Sequence, residues 1–481
     1  MEFTFHAAQM HIVDYLIFGI YFLVLLGIGF YFYLKNEDLE DYFVGGRSIS
    51  ATHVGLSIVA TDVGGGFSIG LGGLGFTMGI SGSWLLFTGL VGAWLAAVLT
   101  VPKLKRLDAK AGLLTFPDFL AFKYGKRVAL IAAVISCIGY LGFTAGQMLA
   151  GAKLAAGSIF SDVSLMDPLS FSLLVMACII VLYTVLGGIK AVIYTDTVQW
   201  IILLSGLLFL GLPFAYQELG GWDAIKSALP PSHFSLTNIS AVTLINWAFV
   251  IIPIWFIAMT LYQRVYACKN VKEAKRAFYI AGLFEYPVMA FLGVALGMMA
   301  RVAFPASDPE MALPRLLGHV LPIGISGFVL ASYFSAVMST ADSCLIASSG
   351  NLTNDIWMKI FTKNKSAKFI IIVSQIATLV LGILAYVMAN SFTSVLSVVL
   401  QAYGFMVSGL LIPTLVAYFS KKTDETAAII SMVGGGSFTL FAIFMNLNMP
   451  FGLEPTVFGI LLSAILYPLS YSISTRRRGI A

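Results

Sequence analysis

A short polar stretch inside an apolar segment has the residue types that bind an ion or a polar solute. Residues 57–66 read S-I-V-A-T-D-V-G-G-G and place the carboxylate of Asp62 beside three consecutive glycines. At membrane depth, a charge and an interrupted helix each cost several kcal/mol, so the combination indicates a functional site. If the helix unwinds here, the carbonyl groups of Ala60 and Val63 lose their helical partners and can coordinate a cation. The alternative is that the glycines only let a neighbouring helix approach closely.

A second polar stretch lies on a later apolar segment, which reads F-S-A-V-M-S-T-A-D-S-C-L over residues 334–345. Three of its hydroxyl groups share one helical face with Ala336, because they follow it at i+3, i+4 and i+7. They belong to Ser339, Thr340 and Ser343, with Asp342 at the edge of the face. Such oxygen ligands suit a weakly held monovalent cation, and the predicted sodium ligands are Ala60, Val63, Ala336, Ser339 and Thr340. The alternative is that the hydroxyls bond to their own helix or join neighbouring helices.

The composition is that of a polytopic membrane protein. Hydrophobic residues make up 59% of the 481 residues and charged residues 11%, less than half of the roughly 25% typical of soluble domains. Apolar segments fill nearly the whole chain and leave no room for a separate soluble domain. The sequence contains no H-E-x-x-H or phosphate-loop motif. An enzyme is therefore not expected, and the energy for transport would come from an ion gradient rather than from ATP.

Thirteen apolar runs are long enough to cross a bilayer as helices, which requires about 20 residues. They cover residues 12–34, 51–77, 81–101, 128–158, 168–187, 192–214, 241–268, 276–303, 320–352, 367–389, 392–419, 426–446 and 453–472. We therefore predict an all-α integral membrane protein with thirteen transmembrane helices, which form a single transporter domain over residues 1–481.

The positive residues predict the orientation of these helices. With the N-terminus outside, 24 of the 28 lysine and arginine residues, Arg264 among them, lie at inward ends or in inward loops, and three lie outside. Inward loops of membrane proteins are rich in Lys and Arg, so we predict the N-terminus outside and the C-terminus inside. The net charge of +5 is then a consequence of topology and does not indicate a nucleic-acid partner. Lys153 lies within a predicted helix and is expected to extend its ammonium group outward.

Two of the predicted helices carry an interruption. The second contains the glycines after Asp62, and the seventh contains Pro253, which removes a backbone donor and clashes with the preceding turn. The two helices are five apart and cross in opposite directions, which is the arrangement of an inverted five-helix repeat with a binding site at the repeat interface. Helices 2–6 and 7–11 would form repeats over residues 51–214 and 241–419, with peripheral helices at 12–34 and 426–472.

Other polar residues in the predicted helices are candidates for the same region. Asp196, near the inner end of the sixth helix, would either cap or pair with Lys190 at the interface or take part in the site. Glu285 in the eighth helix is expected to be a buried acid. Because their helices would line the repeat interface, the expected solute-binding residues are Asp62, Gly64, Gly65, Gln147, Trp255, Gln401 and Tyr403.

Three motifs resemble those of the sodium/solute symporter family, whose members transport proline, choline, pantothenate, sugars and sialic acid. They are D-Y-F-V-G-G-R-S at 41–48, L-G-G-I-K-A-V-I-Y-T-D-T-V-Q at 186–199 and A-V-M-S-T-A-D-S at 336–343. The resemblance covers at least the first eleven predicted helices. It implies the inverted-repeat fold and a sodium site at the five ligands given above. In some members a second sodium ion uses the equivalents of Asp196, Asp342 and Ser343, although sialic-acid carriers have a hydroxyl where this chain has Asp342.

We therefore expect a sodium-coupled secondary active symporter in the cell membrane. Its cargo would be a small polar organic solute, such as proline or a related osmolyte or vitamin. Asp62 resembles the acid of the proline carriers, whereas V-G-G-G and S-T-A-D-S are closer to the choline carriers. Two alternatives remain open. One is a proton-coupled symporter of the same fold, in which Asp62, Asp342 or Glu285 would titrate, and the other is a membrane sensor or channel.

Overall fold

The computed structural model describes residues 10–35, 45–161, 166–186, 189–358 and 367–479. Throughout these residues the regular elements are helices, apart from one isolated bridge between Ile49 and Cys268. The predicted all-α class is therefore confirmed. Residues 41–44 and 187–188, which belong to two of the motifs, lie outside the described residues.

The helices follow one another along the chain with short connections. They are α1 (Ile12–Lys35), α2 (Ala51–Asp62), α3 (Gly64–Met78), α4 (Trp84–Leu99), α5 (Val101–Ala111), α6 (Phe116–Tyr124), α7 (Lys126–Gly157), α8 (Pro168–Leu186), α9 (Ile189–Gly206), α10 (Leu212–Glu218), α11 (Gly221–Ala228), α12 (Ala241–Ile254), α13 (Met259–Ala267), α14 (Val271–Leu283), α15 (Ala290–Ala303), α16 (Pro309–Val320), α17 (Ile325–Gly350), α18 (Ala367–Ala389), α19 (Val395–Phe419), α20 (Glu425–Phe444) and α21 (Pro455–Gly479). Wider π-helical turns at Leu207–Gly211, Phe284–Met289 and Asn351–Trp357 continue α9, α14 and α17. Single turns of 3-10 helix occur at Gly45–Arg47, Gly79–Ser83, Pro231–Phe234 and Pro450–Gly452.

The apolar helices account for most of the predicted membrane crossings. In the described ranges, ten helices are long and apolar enough to cross a membrane, or eleven if the bent pair α12–α13 counts as one crossing. Each of the thirteen predicted segments contains a helix. The count of thirteen crossings and the orientation of the chain stay predictions.

Both predicted interruptions are present. Helix α2 ends at Asp62 and α3 begins at Gly64, so only Val63 separates them. Helices α12 and α13 meet at a bend of 42°, just after Pro253. Proline has no backbone N–H group to donate. The carbonyl of Pro253 accepts from the amide of Phe256, three residues later, at 3.0 Å. The break in each helix therefore follows from local chemistry that is visible in the sequence.

Helix α17 is the centre of the molecule. Its most apolar stretch is entirely buried, and it packs against α1, α2, α3, α7, α8, α9, α13 and α18. A helix that is surrounded on all sides cannot turn its polar residues towards water, so they must find partners on the neighbouring helices. Helices at the rim, such as α1 and α18, instead expose large apolar side chains, as a lipid-facing surface requires.

Candidate functional site

The interruption between α2 and α3 is a kink confined to one residue step rather than an unwound stretch. Gly64 has a φ of +42°, which residues with a side chain rarely adopt. The amide of Val63 still donates to the carbonyl of Val59 at 2.9 Å, and the amide of Phe67 donates to the carbonyl of Val63 at 3.0 Å. The prediction that the Val63 carbonyl loses its helical partner is therefore wrong, because the distortion is confined to the step from Val63 to Gly64.

Three of the five predicted sodium ligands meet where α17 crosses this kink. The hydroxyl oxygen of Thr340 lies 2.9 Å from the carbonyl oxygen of Ala60 and 3.1 Å from that of Ala336, and it can donate to either. All three residues are buried. We call these three oxygen atoms the kink oxygens. Two carbonyls and one hydroxyl, without a formal charge, fit a hard monovalent cation such as sodium.

The glycines after Asp62 allow α17 to approach the kink. A Cβ atom at Gly64 would collide with the side chain of Thr340, and a Cβ atom at Gly65 would collide with Val337. Removing the side chains lets two helix backbones come close, as is common between membrane helices. Close packing, which was the alternative interpretation of these glycines, therefore accompanies the kink oxygens and is what brings Thr340 to Ala60.

Ser339, the remaining hydroxyl of the predicted sodium site, turns away from the kink oxygens. It donates to Oδ1 of Asp196 on α9, while Oδ2 of Asp196 accepts from the hydroxyl of Ser57 on α2 at 2.6 Å. Nη2 of Arg264 on α13 lies 3.4 Å from the same Oδ2. These side chains are at most 4% exposed. We call this group, together with Ser343, the Asp196 cluster.

Arg264 does not lie at an exposed helix end, as the count of positive residues assumed. It was expected at the inward end of the seventh predicted helix, yet its side chain has no solvent exposure. The bend before α13 turns the chain so that α13 lies against α2 and α17, and Arg264 faces these helices. A signal was available, because Thr260, Gln263 and Arg264 recur at i, i+3 and i+4 and form a polar face on α13.

The guanidinium group of Arg264 is held by oxygen atoms from several helices. It donates to the hydroxyls of Ser57 at 3.2 Å, Thr61 at 2.6 Å and Ser343 at 3.2 Å, and to the carbonyl of Thr260 at 3.2 Å. With Asp196, these contacts reach α2, α9 and α17 in addition to α13 itself. A buried arginine requires such a set of acceptors, because its charge cannot be removed by deprotonation.

The three residues of the possible second sodium site have different hydrogen-bond partners. Asp196 and Ser343 both contact Arg264, whereas Asp342 accepts a hydrogen bond from Thr184 on α8 and is near enough to Asp196 to interact with it electrostatically. The other oxygen of Asp342, Oδ2, is buried and has no hydrogen-bond partner within the described segments. Asp342 therefore faces α8, and the structure joins only two of the three predicted residues around one point.

Asp62, at the end of α2, faces groups on two other segments. It is 7% exposed, and its Oδ1 lies 3.4 Å from the hydroxyl of Tyr403 on α19. The carboxyl group of Glu285, from the turn between α14 and α15, is within hydrogen-bonding reach of Asp62. Glu285 has no solvent exposure, and neither of its oxygen atoms accepts from a donor within the described ranges. Two carboxyl groups in such contact require a proton or a cation between them. We call them the Asp62–Glu285 pair.

Two further solute-binding candidates are buried with an unused donor. Gln147 on α7 accepts from the amide of Gly66 at 2.9 Å through Oε1, and its Nε2 has no partner among the residues that the structure describes. Trp255 packs against α4 at Gly92, one turn from the place where Glu285 meets the same helix, and its Nε1 also has no partner in the described part of the chain. Buried donors without partners are uncommon in proteins, and a polar solute would satisfy them.

Gln401 is not close to Asp62. It lies two positions from Tyr403 on α19, so the two side chains point to nearly opposite faces of the helix. Its Nε2 lies 3.2 Å from the hydroxyl of Ser397, and it lines a cavity of about 350 Å³ with Asn246. The structure therefore brings Tyr403 to the kink and places Gln401 elsewhere.

Lys153 does not reach the surface, as an outward extension into the interface would require. It is 2% exposed, and its ammonium group pairs with Glu310 at 2.7 Å and with Asp308 at 3.1 Å. Glu310 also accepts from the hydroxyl of Ser394 and from two backbone amides at the start of α19. The correction has a simple cause, because Glu310 lies on α16, a short helix that the apolar pattern does not predict.

Comparisons with known proteins agree with this fold. The chain is 27% identical over 468 residues to the osmoregulated proline transporter OpuE of Bacillus subtilis (strain 168), covering 93% of this chain and 92% of that protein. It is 28% identical over 432 residues to the high-affinity proline transporter PutP of the same organism, covering 86% and 88%. The solved structure of a Na⁺-coupled sialic acid symporter in a substrate-bound outward-open state has the same fold, with a TM-score of 0.79 at 20% identity over 96% of this chain and 98% of that one.

These relatives are transporters and not enzymes. The apolar helices and the relatives together indicate a multi-pass protein of the plasma membrane. The model of the sodium:solute symporter family matches residues 42–435, and the protein therefore belongs to that family.

Proposed function

We propose that the protein is a sodium-coupled symporter that imports a small polar organic solute, with proline as the first candidate. The observation that carries the proposal is the group of kink oxygens at Ala60, Ala336 and Thr340. Sodium bound there would join α2 to α17 and stabilise the conformation that accepts solute. Because each ligand then raises the affinity for the other by the same factor, the sodium gradient drives uptake of the solute.

The remaining predicted sodium ligands have supporting roles in this proposal. Ser339 is one position from Thr340 and lies in the adjacent Asp196 cluster, so a change of its χ1 angle would turn its hydroxyl towards the ion. The Val63 carbonyl would coordinate the ion while it accepts the hydrogen bond from the amide of Phe67, because a carbonyl oxygen has two lone pairs.

The solute would bind beside Asp62. Tyr403, Gln147 and Trp255 carry polar groups, while Gly64 and Gly65 leave space for a ligand near the kink. Proline offers a carboxylate and a secondary ammonium group, which complement unused N–H donors and an acid, respectively. The relatives named as proline transporters support the same choice.

The proposal includes the topology of the chain. It places thirteen crossings in the membrane, with the N-terminus outside and the C-terminus inside. Residues 51–214 and 241–419 form the inverted repeats, which are supported by the interruptions in corresponding segments of the two halves. Rocking of the two broken helices and their neighbours against the remaining helices would open the site alternately to each side.

Uptake into proteoliposomes tests the proposal. The purified protein should accumulate labelled proline, or another solute found by a thermal-shift screen with and without sodium, only when an inward sodium gradient is present. Replacing sodium by potassium or choline at equal ionic strength should abolish accumulation, and liposomes without protein provide the background. Accumulation that persists unchanged in potassium would overturn sodium coupling.

A proton-coupled symporter is the second candidate, because the Asp62–Glu285 pair needs a proton or a cation between its carboxyl groups. A pH gradient imposed at fixed, equal sodium on both sides separates the two. Accumulation driven by that gradient alone supports protons, and accumulation that follows only the sodium gradient supports sodium. A saturable flux stoichiometric with solute would also exclude a channel.

A further inference from the structure

The Asp196 cluster has the chemistry of a cation site. The carboxylate of Asp196 on α9 meets serine hydroxyls from α2 and α17, which belong to Ser57, Ser339 and Ser343. Asp196 and Ser343 have no solvent exposure. An isolated carboxylate in such a place would be costly, so the cluster requires a positive charge. Oxygen atoms arranged in this way would hold an alkali ion if nothing else supplied that charge.

The protein supplies the charge itself. The guanidinium group of Arg264 contacts Asp196, Ser57 and Ser343, which are three of the four groups that would otherwise hold an ion. It is further fixed by Thr61 and by the carbonyl of Thr260. A sodium ion bound between Asp196 and these serine hydroxyls would then lie beside the guanidinium group, which brings two positive charges together in a buried region.

We propose that Arg264 is a tethered cation that takes the place of a second sodium ion at Asp196. This inference rests on the proposed sodium-coupled function. Arg264 is a positioning residue, because it contacts neither the kink oxygens nor the proposed solute site. Its consequence is that one sodium ion, bound at the kink oxygens, moves with each solute molecule. With a zwitterionic solute, each transport cycle would therefore move one net positive charge, that of the sodium ion.

The bend in α12–α13 makes this arrangement possible. Arg264 reaches the cluster from α13, which turns by 42° relative to α12 and packs against α2 and α17. The guanidinium is thus a side chain with a fixed anchor, and it cannot leave with the solute. Its charge neutralises Asp196 in every conformation that keeps α13 near α9, so Asp196 itself binds no sodium ion during transport.

The stoichiometry of transport tests the inference. In proteoliposomes, the initial fluxes of labelled sodium and labelled solute should be equal, and solute uptake should depend on sodium with a Hill coefficient near one. Two sodium ions for each solute would overturn the inference while leaving sodium coupling intact. Uptake that needs no sodium would instead remove the proposed function on which the inference rests.

Substitution of Arg264 provides the sharper test. Arg264→Gln removes the charge and should let sodium occupy the cluster, so that the flux ratio rises from one to two and the Hill coefficient exceeds one. An unchanged ratio in a folded Arg264→Gln protein would overturn the inference. If that variant does not fold, the pair Asp196→Asn with Arg264→Gln removes both charges and should restore folding with a ratio of one. A ratio of two in the double variant would equally overturn it.

A matched control separates this effect from the loss of any buried cation. Lys153→Gln removes another buried positive charge, which pairs with Glu310 and does not contact the Asp196 cluster. The inference requires that Lys153→Gln leaves the flux ratio at one, whatever it does to stability. A ratio that changes in this variant as in Arg264→Gln would show that the ratio reports general damage, and would overturn the assignment to Arg264.

Discussion

The chain buries two groups of acids near the kink, and they are treated in opposite ways. Asp196 is surrounded by donors, with Ser57, Ser339 and Arg264 all directed at its two oxygen atoms. The Asp62–Glu285 pair is contacted by one hydroxyl group, that of Tyr403, and no basic side chain among the described residues pairs with it. A compensated acid contributes to a fixed structure, whereas an uncompensated pair is ready for a mobile cation. The contrast indicates which group takes part in transport.

The largest expected effect tests the compensated group. Asp196→Asn leaves the guanidinium of Arg264 buried without its acid, and removing one partner of a buried ion pair costs about 3–5 kcal/mol. We expect a large fall in the midpoint of thermal unfolding of the detergent-purified protein. Asp342→Asn is the matched control, because Asp342 already has one oxygen without a partner and lies on α17 beside the same cluster. Equal losses in the two variants would contradict the comparison.

The next effect tests the uncompensated pair. Glu285→Gln gives Asp62 a neutral amide donor in place of a second acid, so the fold should be as stable as before or more stable. The apparent affinity for ion or solute should fall instead, by about tenfold or more. The reason is the loss of a charge-assisted contact between the Glu285 carboxylate and the bound ligand, which is worth about 1.5–3 kcal/mol. Concentration series of uptake would measure this. Severe unfolding with unchanged affinity would mean that Glu285 is structural, as Asp196 is.

A smaller effect separates the two hydroxyls that lie side by side on α17. Thr340→Val removes the hydroxyl among the kink oxygens. Loss of a neutral hydrogen-bonding group costs about 0.5–1.5 kcal/mol, so the sodium concentration for half-maximal uptake should rise twofold to roughly tenfold. Thr340→Ser should restore the original value. Ser339→Ala should change it less, because the Ser339 hydroxyl is bonded to Asp196. The reverse order would show that Ser339 turns towards the ion during transport.

The smallest effect concerns a group outside the membrane-spanning segments. His233 lies between the carbonyl of Phe76 and the guanidinium of Arg301, each 3.2 Å from its Nε2. Burial lowers the pKa of His233, the nearby charge of Arg301 lowers it further, and the Phe76 carbonyl opposes both. The unfolded chain therefore binds a proton more readily, so stability falls as the pH drops below about 6.5. His233→Gln should flatten this decline, as thermal unfolding between neutral and mildly acidic pH would measure. An equal decline in both proteins would contradict it.

Much of the fold follows from patterns that are readable in the sequence. Apolar runs located the helices, and Gly64 and Pro253 located the two interruptions because both act on the backbone itself. The i, i+3, i+4 spacing around Ala336 correctly brought the Thr340 hydroxyl to one face. Local rules of this kind depend on few residues and need no knowledge of the neighbouring helices.

The errors arise where a partner comes from a distant part of the chain. Arg264 was expected at an exposed helix end, because the direction of α13 depends on the angle of a bend, which sequence does not give. Lys153 was expected to reach the interface, whereas its ammonium group is buried against Glu310, which lies on an unpredicted helix. Gln401 was grouped with Tyr403, although helical geometry alone could have separated them. The Asp62–Glu285 contact joins residues more than two hundred positions apart, and no local pattern predicts it.

Glu310 has a consequence beyond its ion pair with Lys153. Its carboxylate receives the first amides of α19, so a short helix outside the apolar segments sets the angle at which α19 enters the protein. Tyr403 lies two turns further along α19 and reaches Asp62 with its hydroxyl. Changes in a connecting segment can thus tilt a distant aromatic ring relative to its acid, which offers evolution a way to tune solute preference without altering any residue that touches the cargo.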